Sequence, residues 1–315
     1  MTGNGWRLLG SRVLQVLPVL ALLLVVVFAL QAQLPGDTAR AFAGPRATPA
    51  QVEQVRADLG LDKSLPVRFT TYVERLTHGD LGASNRSQVP VTQLIRERVG
   101  TTFALLGGGM LASLLIAGPA ALLLAMRPRS RLAWGVDRVL SIAINLPSFW
   151  VGLMLATMVG LHLGLLPVGG LEPGLTGHLR SYALPWLTLG IALAPFLARS
   201  AAASLRAVVG ADYVVTARSV GASGTFLFRR HMLRNALPPT VTLLGFQAGA
   251  LLFGTVVVEQ TFALPGLGAA MITAAGQRDF PVVQGLTLVF GLGIIVFNLA
   301  SDVIVSVLDP RTRWA

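Results

Sequence analysis

The chain alternates between long stretches without charge and shorter segments rich in arginine. Six long apolar stretches contain no Asp, Glu, Lys or Arg; they lie between positions 12 and 37, 98 and 127, 138 and 172, 180 and 199, 234 and 259, and 279 and 302. A helix needs about 20 apolar residues to cross a hydrocarbon core of about 30 Å, and it satisfies its own backbone hydrogen bonds inside lipid. The pattern therefore predicts an all-α integral membrane protein with six transmembrane helices.

The charge-free stretches also predict where the helices lie. We expect transmembrane helices at about 13–33, 101–126, 139–163, 182–199, 236–258 and 282–306. The apolar run of the first helix exceeds the roughly 7–15 residues of a signal-peptide core. A retained anchor is therefore favoured over cleavage, although Ala41-Phe42-Ala43 would suit a cleavage site.

The segment between the first two helices is predicted to form a small helical layer on the outer membrane face. Thr48 is typical of a helix N-cap with Pro49 at the first helical position, and Gly60 is expected to end that helix. The organisation is then an N-terminal helix with an extracytoplasmic segment over 1–98, a membrane domain over 99–309 and a cytoplasmic tail over 310–315.

Composition and charge agree with a membrane protein and predict its orientation in the membrane. The chain is 53% hydrophobic and only 12% charged, with a mean hydropathy of +0.68 and a net charge of +11. If both termini are cytoplasmic, that side carries 14 arginines against four aspartates, or +10 of the +11. Short cytoplasmic loops are enriched in Lys and Arg. The basic excess therefore indicates membrane orientation, with both termini inside, and not a nucleic-acid surface.

Several kinds of chemistry have no support in the residues. The chain has no cysteine, and its four histidines are scattered, which argues against a metal cluster. Its single lysine, Lys63, lies outside any glycine-rich loop, so no P-loop for ATP is present. Ionisable residues are nearly absent from the predicted midplane, which disfavours a secondary carrier, and no nucleophile–base set indicates a membrane enzyme. No cofactor is expected on this chain, so any ATP must be bound by a partner.

The longest predicted inner segment covers about 199–235, and its distinctive part is the loop 211–235. We expect a helix up to about residue 220, a stop at Gly221 and a second short helix that exposes Phe226 and Phe228. Exposed aromatic residues flanked by arginines are typical of a partner pocket. The alternative is an amphipathic helix that rests on anionic lipid headgroups.

Here the chain resembles the permease subunits of binding-protein-dependent ABC importers of the dipeptide, oligopeptide and nickel class. Residues 212–218 (DYVVTAR), Gly221 and residues 230–238 (RHMLRNALP) are similar to the cytoplasmic coupling loop of that family, although Val215-Thr216-Ala217 stands where the wider importer motif has Glu-Ala-Ala. Further matching segments are 34–37 (LPGD), 59–62 (LGLD), 79–82 (GDLG), 146–150 (LPSFW), 264–268 (LPGLG), 278–285 (RDFPVVQG) and 308–311 (LDPR). The resemblance runs nearly end to end.

The resemblance implies a type I ABC importer permease fold in the cytoplasmic membrane. It also implies the partners: a second homologous permease, cytoplasmic ATPase subunits that bind the ATP, an extracytoplasmic solute-binding protein and the surrounding lipid bilayer. Peptides are the expected substrates, and nickel or a metal–chelate complex is the alternative. The residues expected to contact the ATPase are Ala217, Arg218, Gly221, Phe226 and Phe228. Arg218 has a second interpretation as an anchor at the membrane surface.

The outer end of the fifth helix is a second candidate site. Glu259 is interpreted as a gate or binding-protein contact, or, as we prefer, as a structural acid at a helix end that pairs with Arg278 or another outer arginine. Pro265, Gly266 and Gly268 are expected to turn the following loop back toward the pathway. Small residues such as Gly245 and Gly249 favour close helix packing.

Overall fold

The computed structural model describes residues 17–29, 38–44, 46–58, 60–219, 221, 223–228 and 232–308. Within them most residues are helical, and the one β-bridge is an isolated antiparallel bridge between Ala83 and Pro90. The helices are α1 (Leu17–Ala29), α2 (Thr38–Ala43), α3 (Pro49–Asp58), α4 (Leu65–Thr77), α5 (Val91–Met126), α6 (Arg131–Ala143), α7 (Ser148–Leu155), α8 (Gly174–Val209), α9 (Asp212–Ser219), α10 (Gly224–Leu227), α11 (Leu233–Thr261), α12 (Leu267–Gly276) and α13 (Phe280–Leu308). A π-helical turn, Ala156–His162, continues α7.

Four of these helices are long and apolar enough to cross a membrane. They contain the windows Val91–Met126, Gly174–Val209, Asn235–Thr261 and Phe280–Ile304. A fifth span is formed if α6 and the α7–π segment count together. The predicted first span, 13–33, lies partly outside the described residues, and its described part is the apolar helix Leu17–Ala29.

The predicted third span is wrong as a single straight helix. α6 and the helix that begins at Ser148 meet at 109°, and Pro147 stands at the N-cap of the second helix. Proline at 147 disfavours a helical conformation of residue 146, which ends the first helix before it. Most of the segment 127–138, between the predicted second and third spans, is also helical, because α6 begins at Arg131. Ser130 is its N-cap: the Ser130 hydroxyl accepts a hydrogen bond from Ala133 N at 3.1 Å.

The contacts within the chain define two compact units. The bundle unit comprises residues 101–269 together with the chain from 293 onward, and the amino-terminal unit comprises residues 14–100 and 270–292. α5, α12 and α13 each contribute residues to both units.

The bundle unit is packed through small residues on facing helices. A β-carbon on Gly190 of α8 would come within 2.8 Å of the Ala112 side chain of α5, and one on Gly249 of α11 would come within 3.2 Å of Ile294 of α13. The Trp186 indole lies directly over Gly108 and donates a hydrogen bond to Ala104 O at 2.9 Å. Glycines on α5, α8 and α11 therefore permit close helix–helix contact, as small residues do in membrane bundles.

An ion pair joins α6 to α8 within the same unit. Arg199 Nη2 lies 3.3 Å from Asp137 Oδ1 and donates a second hydrogen bond to Ser141 Oγ at 2.6 Å. Both charged side chains remain about half exposed. Their contribution to stability is therefore small, and the pair mainly sets the position of α6.

The amino-terminal unit owes its short helices to local capping. Thr48 caps α3 as predicted: its hydroxyl accepts from Gln51 N, and the Gln51 side chain accepts from Thr48 N at 2.8 Å. Gly60 and Gly79 follow α3 and α4 with φ of +62° and +75°, the left-handed conformation that ends helices. The expected stop at Gly60 is confirmed, and residues 91–99 form the first part of α5.

A buried carboxylate fastens the loop before α5 to the start of α13. Asp279 is buried, accepts a short hydrogen bond from the Ser84 hydroxyl and accepts another from Asn85 N at 3.0 Å. Arg86 donates two hydrogen bonds to Gln277 O, at 3.2 and 3.3 Å. These partners are almost 200 residues apart in the chain, so their hydrogen bonds join the two chain segments of the amino-terminal unit.

Candidate functional site

The predicted coupling segment folds as two short helices between α8 and α11. α9 follows α8 after Gly210, and Gly221 adopts a φ of +85° that L side chains rarely tolerate. α10 then begins at Gly224, with Ser223 Oγ accepting from Phe226 N at 3.3 Å. Residues 220, 222 and 229–231 of the segment lie outside the described residues.

A small apolar cluster holds this segment to the bundle unit. Val214 of α9, Leu227 of α10 and Met232 are buried together, with Val208 and Val209 from the end of α8 against them. A second cluster of Ala125, Leu205 and Ala236 lies next to it on α5, α8 and α11. The coupling segment is therefore anchored by its apolar side to three long helices.

The structure separates the predicted coupling residues by exposure. Phe226 is 52% exposed and Gly221 is exposed, whereas Ala217 is half buried against the first cluster. Arg218 lies in α9, and its side chain is outside the described residues. Phe228 was expected to be exposed, which is wrong: it is half buried and packs against both clusters, because α10 turns this side of the helix toward α8.

A second exposed aromatic residue lies within this segment and was not among the predicted contacts. Tyr213 of α9 is 44% exposed, and its hydroxyl accepts a hydrogen bond from Asn235 Nδ2 at 3.0 Å. The bond ties α9 to the start of α11 across the coupling segment. Because Tyr213 and Asn235 are 22 positions apart in the chain, the sequence gives no signal of their contact.

The other predicted site, around Glu259, is a buried hydrogen-bonded carboxylate. Glu259 has no exposed surface. Its Oε1 accepts from the Thr102 hydroxyl at 2.6 Å, and its Oε2 accepts from Ala269 N at 2.8 Å. The Thr102 hydroxyl in turn accepts from Leu267 N at 2.9 Å. The carboxylate therefore connects α5 and α11 to the N-terminus of α12, where a negative charge is also favoured by the helix dipole.

The glycines beside Glu259 are needed for close approach. A β-carbon on Gly266 would overlap the Glu259 carboxyl group, and one on Gly268 would come within 2.5 Å of Val256 Cα. Gly266 and Gly268 are buried, whereas Pro265 is exposed. Of the predicted outer-site residues, only Pro265 is thus accessible to a partner in this conformation. Thr102 was missed, because a threonine in an apolar helix carries no signal of a partner 157 residues away.

No metal-binding geometry accompanies these sites. Among the residues that the structure describes, no group of three His, Cys, Asp or Glu side chains is placed to hold a metal ion. The geometry combines several apolar spans, a pair of short helices anchored at the end of the bundle, and buried polar contacts that lock helix ends. These features define a helical membrane transport subunit.

The sequence comparisons identify the family. Residues 117–314 match the binding-protein-dependent transport system inner membrane component, and residues 6–106 match the N-terminal part of the same membrane components. The chain belongs to this family. It is a permease subunit of an ABC importer, not an enzyme, and it lies in the inner membrane as a multi-pass protein.

Related proteins match over nearly their whole length. The glutathione transport system permease protein GsiC of Pectobacterium atrosepticum is 39% identical over 305 residues, covering 96% of this chain and 98% of that protein. The GsiC proteins of Salmonella typhi and Escherichia coli are each 38% identical over the same coverage. The resemblance to peptide-type permeases that the motifs indicated is confirmed.

Solved structures support the fold. Inward-facing structures of the MetNI methionine ABC transporter align with TM-scores of 0.57 and 0.55, at 18% and 21% identity. Each covers 69% of this chain and 97% of the other chain. At this identity the likeness concerns the fold alone, and it confirms the expected importer permease architecture.

Proposed function

We propose that this permease pairs with a second permease subunit to import short peptides of the glutathione type, driven by a separate ATPase. Substrate would arrive on a solute-binding protein, and ATP would be bound by the ATPase subunits. The observation that carries the coupling role is the anchored pair α9–α10, which exposes an aromatic side chain from a rigid base. The near full-length similarity to glutathione permeases supports the substrate class.

The contrast between buried and exposed residues in α9 and α10 supports the coupling role. Val214 and Leu227 face the apolar cluster and are buried, so the helices cannot shift independently of the bundle. Phe226 and Tyr213 are turned away from that cluster and stay accessible. A rigidly held, exposed aromatic residue is typical of an interface hot spot. Motion of a docked ATPase would then be transmitted to α8 and α11 through the cluster.

The individual residues take different parts in this proposal. Phe226 and Arg218 are proposed contacts with the ATPase. Gly221 permits the left-handed turn that separates the two helices, and Ala217 and Phe228 help to seat the segment on the bundle. On the other side, the burial of Glu259, Gly266 and Gly268 supports a structural role, which leaves Pro265 as the proposed contact with the binding protein.

Removing the exposed ring should uncouple the permease from its ATPase. Phe226→Ala is expected to weaken association about thirtyfold, since truncating an interface hot spot costs about 2 kcal/mol or more. Co-purification of the tagged permease with its ATPase, and ATP-dependent uptake in proteoliposomes, measure the effect. Leu175→Ala, which removes a 79% exposed side chain at the start of α8, is the matched control and should leave both unchanged.

The proposal fails if the exposed ring proves dispensable. Full co-purification and full uptake by both Phe226→Ala and Phe226→Asp would contradict a docking role for α10. Loss of membrane-integrated protein in these variants would instead indicate a folding defect, so gel filtration of the solubilised permease accompanies each measurement.

A further inference from the structure

The amino-terminal unit contains a cleft of about 510 Å³ that none of the roles above uses. Its base is one face of α4, formed by Arg68, Thr71, Tyr72 and Arg75, whose spacing of three or four residues places them on one side of the helix. The remaining walls come from Phe28, the residues between α3 and α4, the loop of residues 80–90, and the start of α13. The volume lies within the range of small-molecule sites.

The polar side chains of the cleft are held in place by the fold. Lys63 extends along Gly60, whose φ of +62° turns the chain there, and a β-carbon on Gly60 would lie 3.5 Å from Lys63 Cδ. On the opposite wall, Asn85 is fixed through its backbone N–H by the buried carboxylate of Asp279. The Tyr72 ring stacks on Phe28 at a centroid distance of 5.9 Å. The site is therefore largely preformed.

The cleft has a positive electrostatic character. Lys63, Arg68 and Arg75 line it, and none of the three forms a salt bridge with any residue that the structure describes. The two acids, Asp58 and Asp80, already accept hydrogen bonds from Gln54 Nε2 at 3.1 Å and from Gly82 N at 2.8 Å. Within the described part of the chain, three cations without a salt bridge thus line the cleft beside two carboxylates that each accept a hydrogen bond.

Three buried polar groups in the cleft are short of hydrogen-bond partners among the described residues. Tyr72 Oη, Asn85 Nδ2 and Gln284 Nε2 are buried; no described residue accepts a hydrogen bond from Asn85 Nδ2, and Tyr72 and Gln284 have only each other as side-chain partners. Burial raises the pKa of Tyr72 to about 12, with the neighbouring Gln284 side chain acting in the opposite sense. The hydroxyl consequently stays a donor throughout the neutral pH range. Leaving such groups unpaired is unfavourable, so a ligand that brings acceptor oxygens is favoured.

We propose that this cleft binds a short peptide carrying more carboxylates than amines, as a receiving site for solute released by the binding protein. Its role in uptake rests on the importer function proposed above; binding itself does not. Carboxylates would face Arg68, Lys63 and the unpaired donors, and the ammonium group would face Asp58 or Asp80. The two acids and the small volume favour a zwitterionic peptide over an anionic lipid such as phosphatidylglycerol, whose headgroup offers the acids no cationic partner.

Direct binding to the assembled transporter without its binding protein tests the site. The probes are glutathione and Gly-Glu, with Gly-Lys for comparison, titrated by isothermal calorimetry against the complex in phosphatidylcholine nanodiscs. Both anionic probes should bind, more tightly than Gly-Lys and less tightly as salt is raised. Arg68→Gln should weaken them about tenfold, because charge-assisted hydrogen bonds are the strong ones. Tyr72→Phe, which removes only a hydroxyl, should weaken them several-fold.

Controls separate this site from general electrostatics and from the importer function. Arg96→Gln removes an exposed cation of α5 that does not line the cleft, and it should bind both probes like wild type. Equal affinity for Gly-Glu and Gly-Lys, or unchanged binding by Arg68→Gln and Tyr72→Phe, would overturn the proposal. Displacement of both peptides by added phosphatidylglycerol, with the same dependence on Arg68, would also overturn it in favour of a lipid site.

Uptake with the binding protein is measured separately: a raised KM in Arg68→Gln supports the receiving role, and absence of uptake by wild type refutes only the importer proposal.

Discussion

Gly266→Ala is expected to prevent accumulation of stable permease, since a β-carbon would occupy the space of the Glu259 carboxyl group. The carboxylate would have to leave the Thr102 hydroxyl and the Ala269 N–H while remaining without access to water. Each hydrogen bond to a charged group contributes about 1.5–3 kcal/mol, so the loss of both costs about 3–6 kcal/mol. Domains are stable by only about 5–15 kcal/mol, so this loss removes a large share of the stability and, at the lower end of that range, leaves little folded protein. Fluorescence-detected gel filtration across a temperature series measures it.

The matched control is the same substitution where space is open. A β-carbon on Gly100 of α5 meets nothing within 4 Å, so Gly100→Ala should retain or slightly raise stability because alanine favours the helix. Thr102→Val keeps the side-chain shape but removes the hydroxyl, and it should give an intermediate loss. Equal melting temperatures for Gly266→Ala and Gly100→Ala would show that the Glu259 contacts do not hold α11 to α12.

The long helices were predictable because lipid imposes a simple rule on sequence. Charge-free stretches marked the cores of α5, α8, α11 and α13, but not their ends. α5 begins at Val91 and carries Arg96, Glu97 and Arg98 within the helix, where the charge pattern had placed a boundary. Charged residues indicate where a helix leaves the lipid and meets water. They do not indicate where the helix ends, because its backbone hydrogen bonds continue unchanged in water.

The candidate sites were less predictable because they depend on contacts between distant residues. Gly221 and the exposed Phe226 could be anticipated from local turn chemistry and aromatic placement. The half-buried position of Phe228 could not, since it depends on how α10 packs on α8. The sequence around Thr102 likewise gives no indication of its contact with Glu259. Lys63 is recognisable in the sequence only as the single lysine, and its place in the cleft depends on the turn at Gly60.

Two adjacent glycines of α5 test how closely the bundle is packed. In Gly108→Ala the new methyl group would overlap the Trp186 ring, forcing it away from Ala104 O, to which its Nε1–H donates at 2.9 Å. Trp186 also stacks on Tyr182 at 5.5 Å, so the displacement would spread along α8. Overpacking together with a lost hydrogen bond is expected to cost about 2–4 kcal/mol.

Gly107→Ala is the neighbouring control, because a β-carbon there meets nothing within 4 Å. It should be neutral or stabilising by up to about 1 kcal/mol, the helix-propensity difference between glycine and alanine. Thermal unfolding of the two solubilised variants, followed by tryptophan fluorescence, should separate them clearly, with Gly108→Ala alone altering the emission of the indole. If both variants unfold together with wild type, α5 and α8 do not require the close contact at Gly108. If both are equally destabilised, glycine flexibility along α5, and not the fit against Trp186, determines the stability of this helix pair.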